Sequence, residues 1–271
     1  MSSVIKLSSP ATREFWEISV LYEDEHLLAL DKPAGLSTSV DRWDPSRPSL
    51  TQLLHAGIAE GKLWARERKL GYLANAHRLD LETSGVLLFA KSKPVLIQLA
   101  NQFGSEIPKR FHIVIVRGKP NEDQFEVDAK LATHPDQPGL VHVDRKGGKR
   151  SRTRFQVLER FGGWALLRCE PLTSRPHQLR IHLRHVGLPV TGDSLYGGQP
   201  LLLSNLKIGY RLKPHRTERP LISRAAVHAE QLILRHPETG QEVTITAGWP
   251  KDLAVAIKYL RRFAGVHPAE S

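Results

Sequence analysis

Four consecutive residues, His77-Arg78-Leu79-Asp80, put an imidazole, a guanidinium and a carboxylate on one short segment. A polar turn follows through Gly85, and then an apolar run, Val86 to Ala90, with the make-up of a strand. The chain carries 39 Lys and Arg against 28 Asp and Glu, a formal net charge of +11. Such a balance favours a polyanionic partner held through its phosphates. Asp80 would repel phosphate on that surface, so it either holds Arg78 in place or does chemistry on what the basic surface captures. A second segment, 171–198, sends Arg175, His177, Gln178, Arg180 and His182 from a loop into a predicted helix, followed by Gly192-Asp193 and Tyr196-Gly197-Gly198. Arg, His and Gln at a helix N-terminus suit phosphate groups and base edges.

Other chemistries are excluded by what is missing. Gly147-Gly148-Lys149 is followed by Arg150, so no phosphate-binding loop is formed, and neither a nucleophile elbow nor a dinucleotide fingerprint is present. Among 13 histidines, His182 and His185 share a predicted helix, but no HExxH or paired cysteine supports them, and no metal site is expected. They read as packing or phosphate-side residues. The single cysteine, Cys169, lies in WALLRCEPL and reads as strand core, which rules out an internal disulfide. No apolar run is long enough to span a membrane and the N-terminus lacks the apolar core of a signal peptide, so a cytoplasmic location is expected.

The elements that must position these residues follow from periodicity and caps. Residues 1–17 show no clear period and read as an arm. Ile18–Tyr22 and Leu27–Asp31 read as strands around a Glu23-Asp24-Glu25 turn, leading to a Pro-Gly loop. Ser49 is placed to cap a helix from Leu50 to about Glu60, and Ser92 one with Pro94 in its first turn. The basic stretch 62–76 leads into the His77 segment. Strands are predicted at Phe111–Gly118, RFQVLERF and WALLRCEPL, with Asp144–Arg154 a basic hairpin or loop between the first two. The helix carrying Arg180 should stop at Gly187. A hairpin turning at Pro237–Gly240 and a helix over Pro250–Ala264, with Leu253, Ile257 and Leu260 inward, complete the chain. Strands outnumber helices and hairpins are frequent, so the class is α+β with a mixed, largely antiparallel sheet.

The two charged segments, with LYEDEHLLALDKPAGLS before them and VHAEQLILRHPETG after them, resemble the RluA-type RNA pseudouridine synthases over about Ile18 to Leu260. That resemblance implies the pseudouridine synthase fold: helices flanking the sheet and a basic cleft. It implies isomerisation of uridine to pseudouridine in a structured RNA, ribosomal or transfer. It places the catalytic aspartate on Asp80, the neighbouring arginine on Arg78 and the buried arginine partner on Arg180. His77, Arg175, His177 and Gln178 become substrate-side residues, His77 chiefly through the hydrogen bonds of its loop. The family's tyrosine in the Lys-Arg-Tyr strand is Phe111 here.

The reaction detaches uracil from C1′ and rejoins it through C5, with no redox change, so no cofactor is implied. A carboxylate can serve as nucleophile at C1′ or as the base that takes a ribose proton. To stay ionised in a desolvated pocket it needs a cation such as Arg180. The base must be extruded; Arg78 can fill the vacated stack and Phe111 can stack on the flipped uracil. Phe111 lacks the hydroxyl that would shuttle a proton at C5, and Tyr72 and Tyr196 are the possible substitutes. Residues 18–271 are expected to form one catalytic domain, with too few residues before it for an upstream RNA-binding module. RNA contacts then fall on residues 61–70 and 144–154, including Arg145, Lys146, Lys149 and Arg150. A monomer is expected, with RNA as partner, no membrane and no obligate protein partner. The rival reading is a non-catalytic RNA-binding or RNA-folding protein on the same scaffold, and a weaker one is a DNA-directed enzyme.

Overall fold

A computed structural model describes residues 3–42, 44–212 and 215–265. In chain order the strands and helices are β1 (Val4–Ser9), β2 (Glu14–Glu23), β3 (Leu27–Lys32), α1 (Leu50–Ala59), α2 (Leu63–Glu67), β4 (Ala74–Asn75), β5 (Ser84–Ala90), α3 (Lys93–Gly104) and β6 (Lys109–Arg117). There follow β7 (Gln124–Asp128), β8 (Leu131–Thr133), β9 (Val141–Val143), β10 (Arg152–Phe161), β11 (Trp164–Pro171), α4 (Gln178–His185), β12 (Val227–Arg235), β13 (Glu242–Thr246) and α5 (Lys251–Phe263). They pack as two compact units, Met1–Arg110 with Ala229–Gly248, and Phe111–His228 with Trp249–Ser271.

In the first unit the strands run in the order β1-β2-β3-β5-β12, with β13 on β12 and β4 on β5. β1–β2, β2–β3, β3–β5, β4–β5 and β12–β13 pair antiparallel, for example with Leu30 opposite Leu87 and Leu232 opposite Ile245. β3 and β5 are buried along nearly their whole length because both faces are covered. Leu28, Leu30, Leu87 and Phe89 pack with Leu50 and Leu54 of α1 and Trp64 of α2. The alternate residues Ala29, Val86, Leu88 and Ala90 pack with Val95 and Leu99 of α3. The caps act as their residue types predict, Ser49 Oγ accepting from Gln52 N–H and Ser92 Oγ from Val95 N–H. Gly85 has a φ of +113°, and a Cβ there would stand 2.1 Å from Ala229 O of β12, so no side chain fits at the start of β5.

The expected N-terminal arm is instead part of this sheet. β1 pairs with β2 from Val4 opposite Ser19 to Ser9 opposite Glu14. Ile5 and Leu7 enter the core while Lys6 points outward, a period of two too short to stand out among the polar residues around it. Part of the stretch 61–70, expected to face RNA, is also structural. α2 buries Trp64 and Ala65, and Arg68 is buried with its Nε 3.1 Å from Glu23. Arg66 and Lys69 remain exposed.

The second unit is built on the order β6-β11-β10-β7, antiparallel in each pair, with the β8–β9 hairpin beside it. Leu179 and Leu183 of α4 and Leu253, Ile257 and Leu260 of α5 share one core with Val114, Val116, Leu166 and Phe155. Cys169 lies in that core, where burial pushes its thiol up and leaves it unreactive. Asp144 opens the expected basic turn. Its Oδ1 accepts from Lys146 N–H at 2.9 Å and Gly147 N–H at 3.1 Å, which presents Arg145, Lys146, Lys149 and Arg150 to solvent.

Candidate active site

Asp80 lies in the loop between β4 and β5, half-buried, and its carbonyl accepts Thr83 N–H at 3.1 Å, closing a tight turn. Its flanking residues are tied to the segment after β3. Thr38 Oγ1 donates to Leu79 O at 3.0 Å and accepts from Leu79 N–H at 3.1 Å. Gly35 N–H donates to Leu81 O at 2.9 Å. Lys32, fully buried, donates its ammonium to Pro33 O, Leu36 O and Leu81 O at 2.8, 2.7 and 3.3 Å. The backbone on both sides of Asp80 is thus fixed. Arg78, two residues earlier, is exposed.

His77 belongs to the scaffold of this loop. Its Nε2 accepts Leu88 N–H at 3.1 Å, and its ring lies 5.1 Å from that of Phe103. Burial, and then the Arg110 guanidinium, push its pKa down to about 3, so the ring is neutral near pH 7 and holds β5 rather than binding phosphate as a cation.

In the second unit Arg180 is buried and doubly bonded to Asp193, Nε to Oδ2 at 2.7 Å and Nη2 to Oδ1 at 2.6 Å. Its guanidinium carbon lies 4.8 Å from the centre of the Tyr196 ring. Asp193 Oδ1 also accepts Tyr196 N–H at 3.3 Å, which seats the 3-10 turn Ser194–Tyr196. The turn is close-packed: a Cβ on Gly192, at φ +79°, would fall 2.1 Å from Arg224 O. A paired, bidentate arginine keeps its charge on burial and its orientation is fixed.

The other expected contact residues divide by their bonds. Gln178 is buried with both ends of its amide engaged: Nε2 donates to Arg152 O at 2.9 Å and Thr153 Oγ1 at 3.0 Å, and Oε1 accepts Thr173 Oγ1–H at 2.9 Å. This overturns its expected substrate contact, because both of its amide N–H groups are already donated within the fold. His177 begins α4 in the left-handed region, φ 52°, with Nδ1 2.6 Å from the Tyr196 hydroxyl. Arg175 donates Nη1 to Ser174 O at 2.8 Å, and its enclosed Nε has no hydrogen-bond partner among the described residues. His182 is packing: its ring nitrogens meet Thr153 Oγ1 at 2.9 Å and Ala129 O at 3.2 Å, and burial lowers its pKa. Phe111 is half-buried with the Arg168 guanidinium 4.2 Å from its ring centre, so one aromatic face is occupied. Tyr72 is exposed in the first unit, and Tyr196 is buried in the second.

A half-buried aspartate on a pinned turn and a buried arginine locked by a second aspartate now stand on the two segments singled out by sequence. Residues 26–185 match the RNA pseudouridylate synthase family. The chain belongs to that family. It is 33% identical over 258 residues to ribosomal large subunit pseudouridine synthase D of Nitrosomonas europaea, covering 90% of this chain and 65% of that protein. It is 35% identical over 244 residues to ribosomal large subunit pseudouridine synthase C of Salmonella typhi, covering 89% of this chain and 70% of that one. The chain thus spans less than two thirds of the first relative's length. The solved human RNA pseudouridylate synthase domain containing 4 superposes with a TM-score of 0.65 over 89% of this chain and 92% of its own, at 24% identity. The pseudouridine synthase fold expected from the motifs is therefore the fold observed.

Sequence reasoning assigned no role to Lys32, Thr38, Asp193 or Arg168. Asp193 stood in the quoted Gly-Asp pair thirteen residues beyond Arg180, but a spacing of that size carries no contact information. Lys32 lay in an apolar strand, where a lysine must find carbonyl acceptors, and that was the available signal. Among the described residues no helix is long and apolar enough to cross a membrane, and no group of His, Cys, Asp and Glu is arranged to hold a metal ion.

Proposed function

We propose that this protein converts uridine to pseudouridine in a structured ribosomal or transfer RNA, with Asp80 as the catalytic carboxylate and Arg180 as a second catalytic residue. The observation that carries the reading is the fixed turn at Asp80, whose neighbours Leu79 and Leu81 are tied on either side of a half-buried carboxylate. A group that must meet C1′ or a ribose proton at short range needs such preorganisation. Exposed Arg78 contacts the RNA where the base leaves the stack. The open face of Phe111 stacks on the uracil, and water or another group moves the proton at C5. Arg175 and His177 lie on the RNA side, with Arg145, Lys146, Lys149 and Arg150 as further phosphate contacts. Residues 18–271 are the catalytic domain, and the protein works in the cytoplasm as a monomer, without cofactor or obligate protein partner.

Pseudouridine mapping of total RNA from cells with the gene, without it, and with Asp80→Asn tests this. One uridine should lose its modification in both altered strains, which also identifies the RNA and the position. Full modification at every site without the gene overturns the reading. The missing hydroxyl at Phe111 favours one alternative, an RNA-binding or RNA-folding role without catalysis. On that alternative Asp80→Asn is silent and charge reversal at Arg145, Lys146 and Lys149 destroys function.

A further inference from the structure

A cavity of about 480 Å³ opens between the β8–β9 hairpin and α4 of the second unit. His134 and His142 line it from the hairpin side, and Arg184 and His185 from the last turn of α4. Ile181 and the ring of Tyr196 supply an apolar wall. Its volume lies in the range that holds a small molecule. The lining among the described residues has no carboxylate. Asp144, the acid nearest in sequence to His142, has its pKa held low first by the Gly147 and Lys146 N–H groups and further by His142, and its carboxylate lies outside the cavity lining. Arg184 and His185 are accounted for by the negative C-terminal end of the helix. That effect does not reach across to His134 and His142, whose rings meet edge to face at 5.4 Å. Four basic groups converging on an apolar floor without an acid suit an anion that carries a flat apolar body.

We propose that this cavity is an RNA subsite, separate from Asp80, that takes one nucleotide with its phosphate on Arg184 and the imidazoles and its base against Leu195, over the buried Ile181 and Tyr196. The basic turn that begins right after β9 extends the same charge outward, which points to a strand of nucleic acid rather than a free anion. Tyr196 ties the subsite to the proposed machinery, and this link rests on the functional reading given above. Its ring lies beneath Arg180 at 4.8 Å, and its hydroxyl accepts Val141 N–H at 3.0 Å and lies 2.6 Å from His177 Nδ1. A nucleotide in the cavity lies next to that buried ring and so next to the first turn of α4.

The test uses the full chain carrying Asp80→Asn, so that turnover plays no part, and a short hairpin RNA containing 4-thiouridine. Fluorescence anisotropy over a salt series gives affinity and salt slope. Arg184→Gln with His185→Gln should weaken binding about tenfold and lower the salt slope by about one. Leu195→Trp, which fills the cavity mouth without changing charge, should also weaken binding. Lys258→Gln, an exposed charge on α5, should do neither. Photocross-links should map to residues 134–143 or to Tyr196. Wild-type affinity in both cavity variants at unchanged unfolding midpoints overturns the proposal, as do cross-links found only elsewhere. Loss of the pseudouridine reading would show in the RNA map and leave this binding result standing.

Discussion

The two units hold their key charged residue in opposite ways. In the first, the neighbours of Asp80 are tied through their backbones by Thr38, Gly35 and Lys32, and the carboxylate is half-exposed. In the second, the side chain of Arg180 is itself clamped, buried and bidentate on Asp193. The first arrangement fixes a position through the backbone. The second fixes the group and uses it as a standing charge. Substitution at Asp80 should therefore act on chemistry, and substitution around Arg180 on stability as well.

The largest expected effect is on turnover. Asp80→Asn should lower single-turnover pseudouridine formation by at least about 10³-fold, while its unfolding free energy in urea falls by less than that of Asp193→Asn. Asp193→Asn should cost about 3–5 kcal/mol in urea unfolding, because a buried guanidinium loses its counter-ion. Equal stability losses in the two variants would break the contrast between the units. Lys32→Met strips the donor from three carbonyls and should cost roughly 1–3 kcal/mol. Activity should fall with it as the Asp80 turn loosens, a result read from kcat at saturating RNA.

His77 offers a pH signature for the first unit. Its folded pKa of about 3 lies below the ordinary imidazole value of 6.5. Between those values the unfolded chain binds a proton that the folded chain refuses, so stability falls as pH falls from about 6.5 toward 3. The loss by pH 5 is about 2 kcal/mol. His77→Gln should flatten that slope; an unchanged slope would mean that another group sets it. The smallest effect is Thr38→Val, about 1 kcal/mol for the bonds on Leu79, with a drop in kcat larger than the change in KM if the turn at Asp80 is the preorganised element.

Local signals served well wherever a residue type and its immediate neighbours decide the outcome. Ser49 and Ser92 cap their helices because a side-chain oxygen needs only the next turn. The turn of the β12–β13 hairpin formed as read, with Gly240 at φ +70° and its N–H on His236 O at 2.8 Å. Charge was read less well. Arg68 looked like part of an RNA-facing stretch, yet it pairs with Glu23 forty-five residues away. Gln178 looked like a base reader, yet its amide joins Arg152, Thr153 and Thr173. A polar side chain carries the same letter whether it meets RNA or the protein's own backbone, and only burial distinguishes the two.

The order of residue types thus determined the family, the fold class and the identity of Asp80, Arg78 and Arg180 as the group to examine, because motif, cap and period are all local. Packing decided which charges are already satisfied. It gave Arg180 to Asp193, took His77 and Gln178 into the scaffold, and made an expected arm into β1. Those outcomes depend on which groups lose their water together, and that is settled between segments distant in the chain.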